Sequence, residues 1–321
     1  MQPSNNNFTG ALTALAAMAI FASHDVVVKH LGASYSAVQI VFFAALLSFP
    51  LVTLFMIKDQ SGGRLWPKHP IWVGVRMVAA VITGVSAFYA FGVLPLAQTY
   101  AILFAIPLII TVLSIPILGE KVRFRRWAAV IVGLIGVLIV LRPGQVPLSY
   151  GHLAALVAAF AGALSSIIIR KVGSDERPVT LLLSPVVGNF FVMGIALPFV
   201  YRPMPIADVG LMGVVALLGL AATLLSILAY RQAEAVIVAP MQYSQIIWAT
   251  IFGYTLFDEH LDTATLIGAL VVIASGLYIV LRETRTGASD NQPVLETSGR
   301  SEMATTPRPR LLQRILQPET D

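Results

Sequence analysis

Ionisable side chains are rare inside the long apolar stretches of this 321-residue sequence, and each one is a candidate for chemistry. Asp25 is the only acid well inside such a stretch, where a carboxylate is costly unless it binds a partner or a proton. His24 precedes it and can change its charge near neutral pH. Lys29 follows Asp25 by one helical turn, the spacing of an ion pair. Two interpretations are open: an Asp25–Lys29 pair at a helix end, or a proton-binding group formed by Asp25 and His24.

Aromatic and amide side chains in the same stretches form a second group of candidates. We predict that they contact a small organic ligand, because aromatic rings stack on ring-bearing molecules and amides form hydrogen bonds with them. The candidates are Tyr89, Tyr100, Asn189, Tyr230, Gln242, Tyr243, Gln245 and Trp248. For Trp248 the alternative is packing in the core. For Asn189 the alternative is a hydrogen bond to a neighbouring helix.

Three further charged residues have mainly structural interpretations. Arg76 lies near the start of an apolar stretch, where its side chain is expected to extend to the aqueous interface, with an anionic ligand as the alternative. Glu120 and Glu259 each precede a predicted helix. A carboxylate at the N-terminus of a helix is favoured by the helix dipole, so we expect a structural role for both.

The elements that must hold these residues follow from the composition. Hydrophobic residues make up 57% and charged residues 12% of the chain, about half the charge of a soluble globular protein. This argues against a soluble enzyme and against a nucleic-acid binder. The absence of Cys excludes disulfides, thiolate metal sites and Cys nucleophiles. No catalytic residue, metal site or cofactor is predicted.

Ten apolar stretches are each about 20 residues long, the length a helix needs to cross the hydrocarbon core of a bilayer. They are 8–30, 35–57, 71–93, 97–118, 126–142, 151–171, 180–201, 208–230, 236–257 and 263–282. We therefore predict an all-α polytopic membrane protein with ten transmembrane helices in a lipid bilayer. Residues 1–7 are predicted to be a cytoplasmic N-terminus. Residues 283–321, rich in Ser, Thr, Pro and charged residues, are predicted to be a disordered cytoplasmic tail.

The basic residues give the predicted helices an orientation. An even number of spans places both termini on one side of the membrane. If that side is the cytoplasm, most of the 21 Lys and Arg residues are cytoplasmic, and only Lys29, Arg142 and Arg202 lie outside. This asymmetry fits the positive-inside rule. We predict a multi-pass protein of the inner (plasma) membrane with both termini in the cytoplasm.

The chain also contains an internal repeat. Residues 136–142 and 276–282 share five of seven residues, Gly-Val-Leu-Ile-Val-Leu-Arg and Gly-Leu-Tyr-Ile-Val-Leu-Arg. Shorter matches place Lys29 opposite Arg170 and Glu120 opposite Glu259. The predicted repeats cover 8–143 and 150–282, with five helices each. Because five is odd, the second copy must be inverted in the membrane, and inverted repeats with a site at the midplane are typical of secondary transporters.

Several short motifs recur along both halves. The first half contains Phe88-Tyr89-Ala90, Leu94-Pro95-Leu96-Ala97, Pro107, Leu118-Gly119-Glu120, Gly136 and Leu141-Arg142-Pro143, and the second contains Ala229-Tyr230, Ala239-Pro240, Tyr243, Trp248, Gly253, Glu259 and Gly276-Leu277-Tyr278. Over residues 8–282 the sequence resembles the drug/metabolite transporter superfamily, and within it the EamA-type permeases. Relatives often carry an Arg after a Phe-Phe pair in the second span. Here Ala44 follows Phe42-Phe43, so a substrate or lipid contact by that Arg is not expected.

Together these patterns predict a secondary transporter that moves a small organic metabolite by alternating access. The aromatic and amide candidates favour a ring-bearing vitamin such as riboflavin, an aromatic amino acid or an adenosyl compound. Proton coupling through Asp25 and His24 is left open. The alternatives are an intramembrane enzyme, a channel, or an exporter of a drug-like or siderophore-like metabolite. We expect a monomer or homodimer that binds no nucleic acid.

Overall fold

The computed structural model describes residues 7–57, 66–120, 122–144, 147–173, 175–233 and 235–286, and every regular element in these ranges is a helix. The α-helices are α1 (Asn7–Gly32), α2 (Ala37–Ile57), α3 (Pro70–Val93), α4 (Leu96–Leu103), α5 (Ile106–Leu118), α6 (Phe124–Leu141), α7 (Tyr150–Val172), α8 (Pro178–Ala196), α9 (Ile206–Gln232), α10 (Ala235–Met241), α11 (Gln245–Phe257) and α12 (Thr263–Thr286). Short 3₁₀ turns cover Leu197–Phe199 and Gln242–Ser244. This architecture confirms the predicted all-α polytopic membrane fold.

The helices correspond to the ten predicted spans. Within the described ranges, six apolar stretches of 18 to 25 residues are long enough to cross a membrane, and three shorter apolar helices accompany them. Eight spans contain a single α-helix each. The other two are divided in the middle: α4 and α5 form the fourth span, and α10, the 3₁₀ turn and α11 form the ninth. The first residues of the predicted tail, up to Thr286, form the end of α12. The rest of the tail lies outside the described residues, and so do residues 1–6 of the predicted N-terminus.

Proline explains where these two spans divide. Pro107 lies in the first turn of α5, immediately after the break at Phe104 and Ala105. Pro240 lies at the end of α10, immediately before the 3₁₀ turn. Because proline has no N–H and clashes with the preceding turn, a helix that reaches it kinks or ends. Both breaks therefore lie near the middle of their spans.

The two halves pack against each other in symmetric pairs. α1 of the first half packs on α9 of the second, and the equivalent helices α7 and α3 pack in the same way. Other cross-half contacts join equivalent spans: α2 with α8, α6 with α12, and α4 of the fourth span with α11 of the ninth. Further contacts exchange between the halves, such as α2 with α9 and α8 with α3. This pattern is expected of two repeats related by a two-fold axis.

The contact between α6 and α12 gives the relative direction of the repeats. A side chain on Gly136 would meet the backbone of Val272 and Gly268, and one on Gly268 would meet the backbone of Val140. Residues later in α6 contact residues earlier in α12, so the two helices are antiparallel. As the last helices of their repeats, they show that the second repeat is inverted. Gly136 and Gly268 are required here because the helix backbones approach within van der Waals contact.

Candidate functional site

The two broken spans meet at a pair of aromatic rings. Phe104 lies at the break of the fourth span and Tyr243 in the 3₁₀ turn of the ninth, with ring centroids 5.1 Å apart and planes at 79°. Phe104 precedes Glu120 by the same number of residues as Tyr243 precedes Glu259, so the rings occupy equivalent positions in the repeats. The pair therefore lies near the axis that relates the two repeats, at the middle of the two spans that it joins.

Two buried polar atoms at this break have no hydrogen-bond partner among the described residues: the Tyr243 hydroxyl and Nε2 of Gln245. Both side chains are buried, and the Tyr243 hydroxyl lies directly against Gly276 of α12. A buried donor without a partner costs about 1–3 kcal/mol, and native proteins rarely retain one without a reason. The arrangement can provide two hydrogen bonds to a polar molecule.

The neighbouring candidates lie on the same break. Gln242 donates a hydrogen bond from Nε2 to the Tyr230 hydroxyl at 3.1 Å, so these two predicted residues are in contact. Trp248, one turn into α11, stacks on Phe252 with centroids 6.2 Å apart and packs against a cluster from α1 and α9 that contains Met18. The Trp248 ring thus contacts the core, while part of its surface remains exposed.

Asp25 lies in a buried polar cluster rather than at a helix end. It is 2% exposed, its Oδ1 is 2.9 Å from Nδ1 of His24, and its Oδ2 accepts a short hydrogen bond from the Tyr100 hydroxyl of α4. The structure brings these three predicted residues together. Of the two open interpretations, the Asp25–Lys29 pair is not the one found: Lys29 lies one turn nearer the helix end, and its Nζ is 2.7 Å from Oε1 of Glu259.

A chain of rings connects the Asp25 cluster with the break. Tyr100, which binds Asp25, has its ring centroid 5.4 Å from that of Phe91 and 6.2 Å from that of Phe104. Phe104 in turn contacts Tyr243. Tyr100 therefore contacts both the Asp25 carboxylate and the Phe104 ring. The sequence indicated the two ends of this chain but not Phe104.

Asn189 and Tyr89 lie elsewhere. Asn189 is buried on α8, which packs on α2 and α3, and its Oδ1 has no hydrogen-bond partner among the described residues. Tyr89 of α3 is 41% exposed. Asn189 is thus a further polar group available for a ligand, whereas Tyr89 is the least enclosed of the predicted residues.

Arg76 does not extend to the interface as expected, because it is fully buried between α3 and α8. Its Nη1 donates to the Leu181 carbonyl at 2.8 Å and to the Ser184 hydroxyl at 3.0 Å. Pro185 is the physical reason, because it has no N–H to bind the carbonyl four residues before it, which is that of Leu181. The guanidinium replaces the missing helical hydrogen bond.

Glu120 and Glu259 each pair with a basic side chain at the end of the first helix of the other repeat. Glu259 accepts a hydrogen bond from the backbone N–H of Leu96 at the start of α4, at 2.9 Å, and pairs with Lys29. Glu120 pairs with Arg170 of α7, with Nη2 and Oε1 2.9 Å apart. Each glutamate binds the other half of the protein. The repeated positions were visible in the sequence, but their partners were not.

Comparison with known proteins identifies the family to which this architecture belongs. Residues 8–142 and 149–281 each match the EamA-like transporter family. The chain belongs to this family. The two matches coincide with the two repeats of the structure and confirm the resemblance seen in the sequence.

Individual relatives of this EamA protein are distant but match over most of their length. An S-adenosylmethionine uptake transporter of Rickettsia prowazekii is 25% identical over 84% of this chain and 91% of its own length. A riboflavin transporter of Rhizobium johnstonii is 27% identical over 76% of this chain and 79% of its own. A pseudopaline exporter of Pseudomonas aeruginosa is 26% identical over 87% of this chain and 98% of its own.

A solved crystal structure shares the fold of this EamA protein, with a TM-score of 0.57 and 18% identity over 84% of this chain and 96% of the other. At that identity the similarity concerns the fold alone. The family and the relatives confirm the prediction of a small-metabolite transporter in a cell membrane.

Proposed function

We propose that this protein transports a polar, ring-bearing metabolite by alternating access, and that the solute binds at the break between the fourth and ninth spans. The observation that carries the proposal is the pair of buried polar atoms without partners among the described residues, the Tyr243 hydroxyl and Nε2 of Gln245. They lie where the two inverted halves meet, so that a rocking motion exposes one site to each side in turn.

The remaining candidates complete this site in the proposal. Rings of Phe104, Tyr243 and Trp248 offer faces to an aromatic solute, and the amides of Gln242 and Gln245 offer hydrogen bonds. Tyr100 and Tyr230 form its periphery. Asn189, on α8, lies away from the break and contributes only if the solute extends toward α2 and α3. Tyr89 contributes only if the solute reaches that face of α3, because its side chain is the most exposed of the set.

Three solute classes follow from this chemistry: an adenosyl compound, a vitamin such as riboflavin, or an aromatic amino acid. Relatives named for S-adenosylmethionine and riboflavin support the first two. A second candidate function is export of a siderophore-like metabolite. It is supported by the pseudopaline exporter, which this chain matches over 98% of that protein's length.

We further propose that Asp25 and His24 couple transport to protons. The Asp25 carboxylate is buried, hydrogen-bonded to Tyr100 and connected with Tyr243 by the chain of rings. A proton bound there on one side of the membrane and released on the other drives accumulation of the solute. Both termini lie in the cytoplasm in this proposal, as the basic residues indicate.

A thermal-shift screen tests the proposed site. The purified protein is heated with a panel of nucleosides, adenosyl compounds, flavins, amino acids and metal chelators, because a ligand that binds only the folded state raises the melting temperature. We expect a hit among the ring-bearing compounds, and the shift decreases in a Gln245→Leu variant. A panel without any hit, or a hit whose shift is unchanged in Gln245→Leu, contradicts the site.

A further inference from the structure

Two ion pairs join the halves of the protein, and both are largely withdrawn from water. Lys29, in the last turn of α1, binds Glu259 at 2.7 Å, with side-chain exposures of 12% and 17%. Arg170, in the last turn of α7, binds Glu120 at 2.9 Å, with exposures of 6% and 15%. We call them the Glu259 latch and the Glu120 latch.

The two latches are copies of one another under the repeat. Lys29 and Arg170 end the first helix of their repeats, and Glu120 and Glu259 follow the fourth span of theirs. In each latch the cation comes from one half and the glutamate from the other. Because the repeats are inverted, the two latches lie on opposite faces of the membrane.

Each latch holds more than its own two side chains. Lys29 also donates to the carbonyl of Leu94 at 2.7 Å, and Glu259 accepts the N–H of Leu96, so the end of α1 is fixed to the corner before α4. At the other face, Lys171 donates to the carbonyl of Ile117 at 2.7 Å, beside the Arg170–Glu120 pair. Each latch therefore holds one outer end of the fourth span, and the Glu259 latch also holds the end of the ninth.

The physical character of the pairs suits reversible closure. Charge-assisted hydrogen bonds at such short distances are stronger than neutral ones. Their positions at helix ends allow water to solvate the charges once the halves separate, so opening does not leave a bare charge in the membrane. In the structure both latches are closed, and the ring pair of Phe104 and Tyr243 lies between them.

We infer that the two ion pairs are the gates of the transport cycle, with the Glu259 latch closing the site toward one face and the Glu120 latch toward the other. This inference rests on the alternating access proposed above. Opening one latch while the other stays closed exposes the site to a single face. Lys29, Glu259, Arg170 and Glu120 are thus transport residues that do not touch the solute.

Spin-label distances measure each latch directly, because the natural chain has no Cys. Paired labels on cysteines at His30 and His260 report the Glu259 latch, and labels at Arg123 and Asp175 report the Glu120 latch; all four side chains are exposed. In Glu259→Gln, or in Lys29→Gln as the second variant of that latch, we expect the population of the long His30–His260 distance to rise about tenfold, as expected for one lost charge-assisted hydrogen bond.

The repeat supplies the matched comparison. Glu120→Gln should lengthen the Arg123–Asp175 distance and not the His30–His260 distance. Asp258→Asn, at the exposed carboxylate beside Glu259, is the control and leaves both distances unchanged. Unchanged distances in all latch variants, or both distances lengthening together in each of them, would overturn the proposal. The measurement uses protein without solute, so a failed metabolite screen does not decide it.

Discussion

At the scale of single residues, the site is defined by polar atoms in an apolar environment. The Tyr243 hydroxyl and Nε2 of Gln245 have no partner among the described residues, whereas Asp25 is bound by His24 and Tyr100. A buried polar group without a hydrogen-bond partner destabilises the folded protein, whereas a paired one fixes the orientation of its neighbours. The two kinds of residue therefore make different predictions: Tyr243 should affect solute affinity, and Asp25 should affect coupling.

The Tyr243→Phe substitution removes the hydroxyl that is proposed to bind the solute and keeps the ring that packs on Phe104. In Tyr243→Phe the ring and its contact with Phe104 remain, so we expect a stable protein whose solute affinity falls about 2- to 10-fold, the value of one neutral hydrogen bond. Solute dissociation constants measured by titration check this. Tyr254→Phe, at a 61% exposed tyrosine on α11, is the control and should bind like the wild type. Unchanged affinity in Tyr243→Phe would return the hydroxyl to a packing role.

Asp25→Asn imitates the protonated state of the carboxylate and tests coupling. We expect the variant to lose accumulation driven by a pH difference and to retain solute exchange, because the solute site is intact while the proton site is not. Uptake into proteoliposomes with and without an imposed pH difference measures both activities. If Asp25→Asn protein still concentrates solute when only a pH difference is imposed, Asp25 has a structural role.

At the scale of helices, proline breaks are compensated by side chains from neighbouring helices. Pro185 leaves the Leu181 carbonyl without its helical donor, and Arg76 of α3 supplies the hydrogen bond. Arg76 and Pro185 therefore act as a pair, although they belong to different halves of the protein.

A double-mutant cycle measures this pair. Arg76→Met should destabilise the protein less in a Pro185→Ala background, because the introduced alanine would donate its own N–H to the Leu181 carbonyl. We expect a coupling free energy of about 1 kcal/mol, within the usual range for contacting residues. Thermal unfolding of the wild type, the two single variants and the double variant gives the value. Strictly additive effects would show that Arg76 does not replace the helical bond.

The start of α12 provides a pH-dependent contact between the halves. Asp262 pairs with Arg142 at 2.6 Å and accepts hydrogen bonds from Thr265. Burial alone raises the pKa of the Asp262 carboxyl, but the Thr265 hydrogen bonds and the Arg142 charge outweigh it, and the pKa is lowered overall. A lowered folded-state pKa stabilises the protein above the ordinary value of about 3.9, and the benefit is lost as the pH falls through the lowered pKa.

We therefore expect the wild type to melt above Asp262→Asn at about pH 6, with the difference shrinking as the pH falls below about 4 and through the lowered pKa of Asp262. Arg142→Gln should shrink the same difference at neutral pH, since Arg142 is one cause of the lowered pKa. Melting temperatures across this range are the measurement. A difference between wild type and Asp262→Asn that is independent of pH would contradict the assigned pKa.

The helices were largely predictable from the sequence, whereas the partners of charged residues were not. The ten spans follow from apolar length, and the breaks in the fourth and ninth follow from Pro107 and Pro240, because both signals are local. For Lys29, a bond to Asp25 one turn away was one of two open interpretations, and Arg76 was expected to reach the interface. Both instead bind groups brought near by the packing of the halves, Glu259 and the Leu181 carbonyl. Such partners depend on how the helices pack, which the spacing of residues along a single helix cannot predict.

At the scale of the whole molecule, a pseudo-two-fold symmetry relates the two repeats. The pairs α1 with α9 and α3 with α7 exchange under it, and Phe104 meets Tyr243 at its axis. Asp25 is an exception to this symmetry, because Ser166 on α7 corresponds to Asp25 on α1. One half thus carries the proposed proton site, and both halves share the solute site and the latches.

Counterflow in proteoliposomes tests the central claim of a carrier with one site of alternating access. Liposomes containing the purified protein are loaded with unlabelled solute from the thermal-shift screen and diluted into a trace of the labelled compound. A carrier exchanges the two through the same site, so we predict a transient accumulation of label above its equilibrium level, absent from protein-free liposomes. Label that only equilibrates, without this overshoot, or that is recovered as a different compound, would contradict the account in favour of a channel or an enzyme.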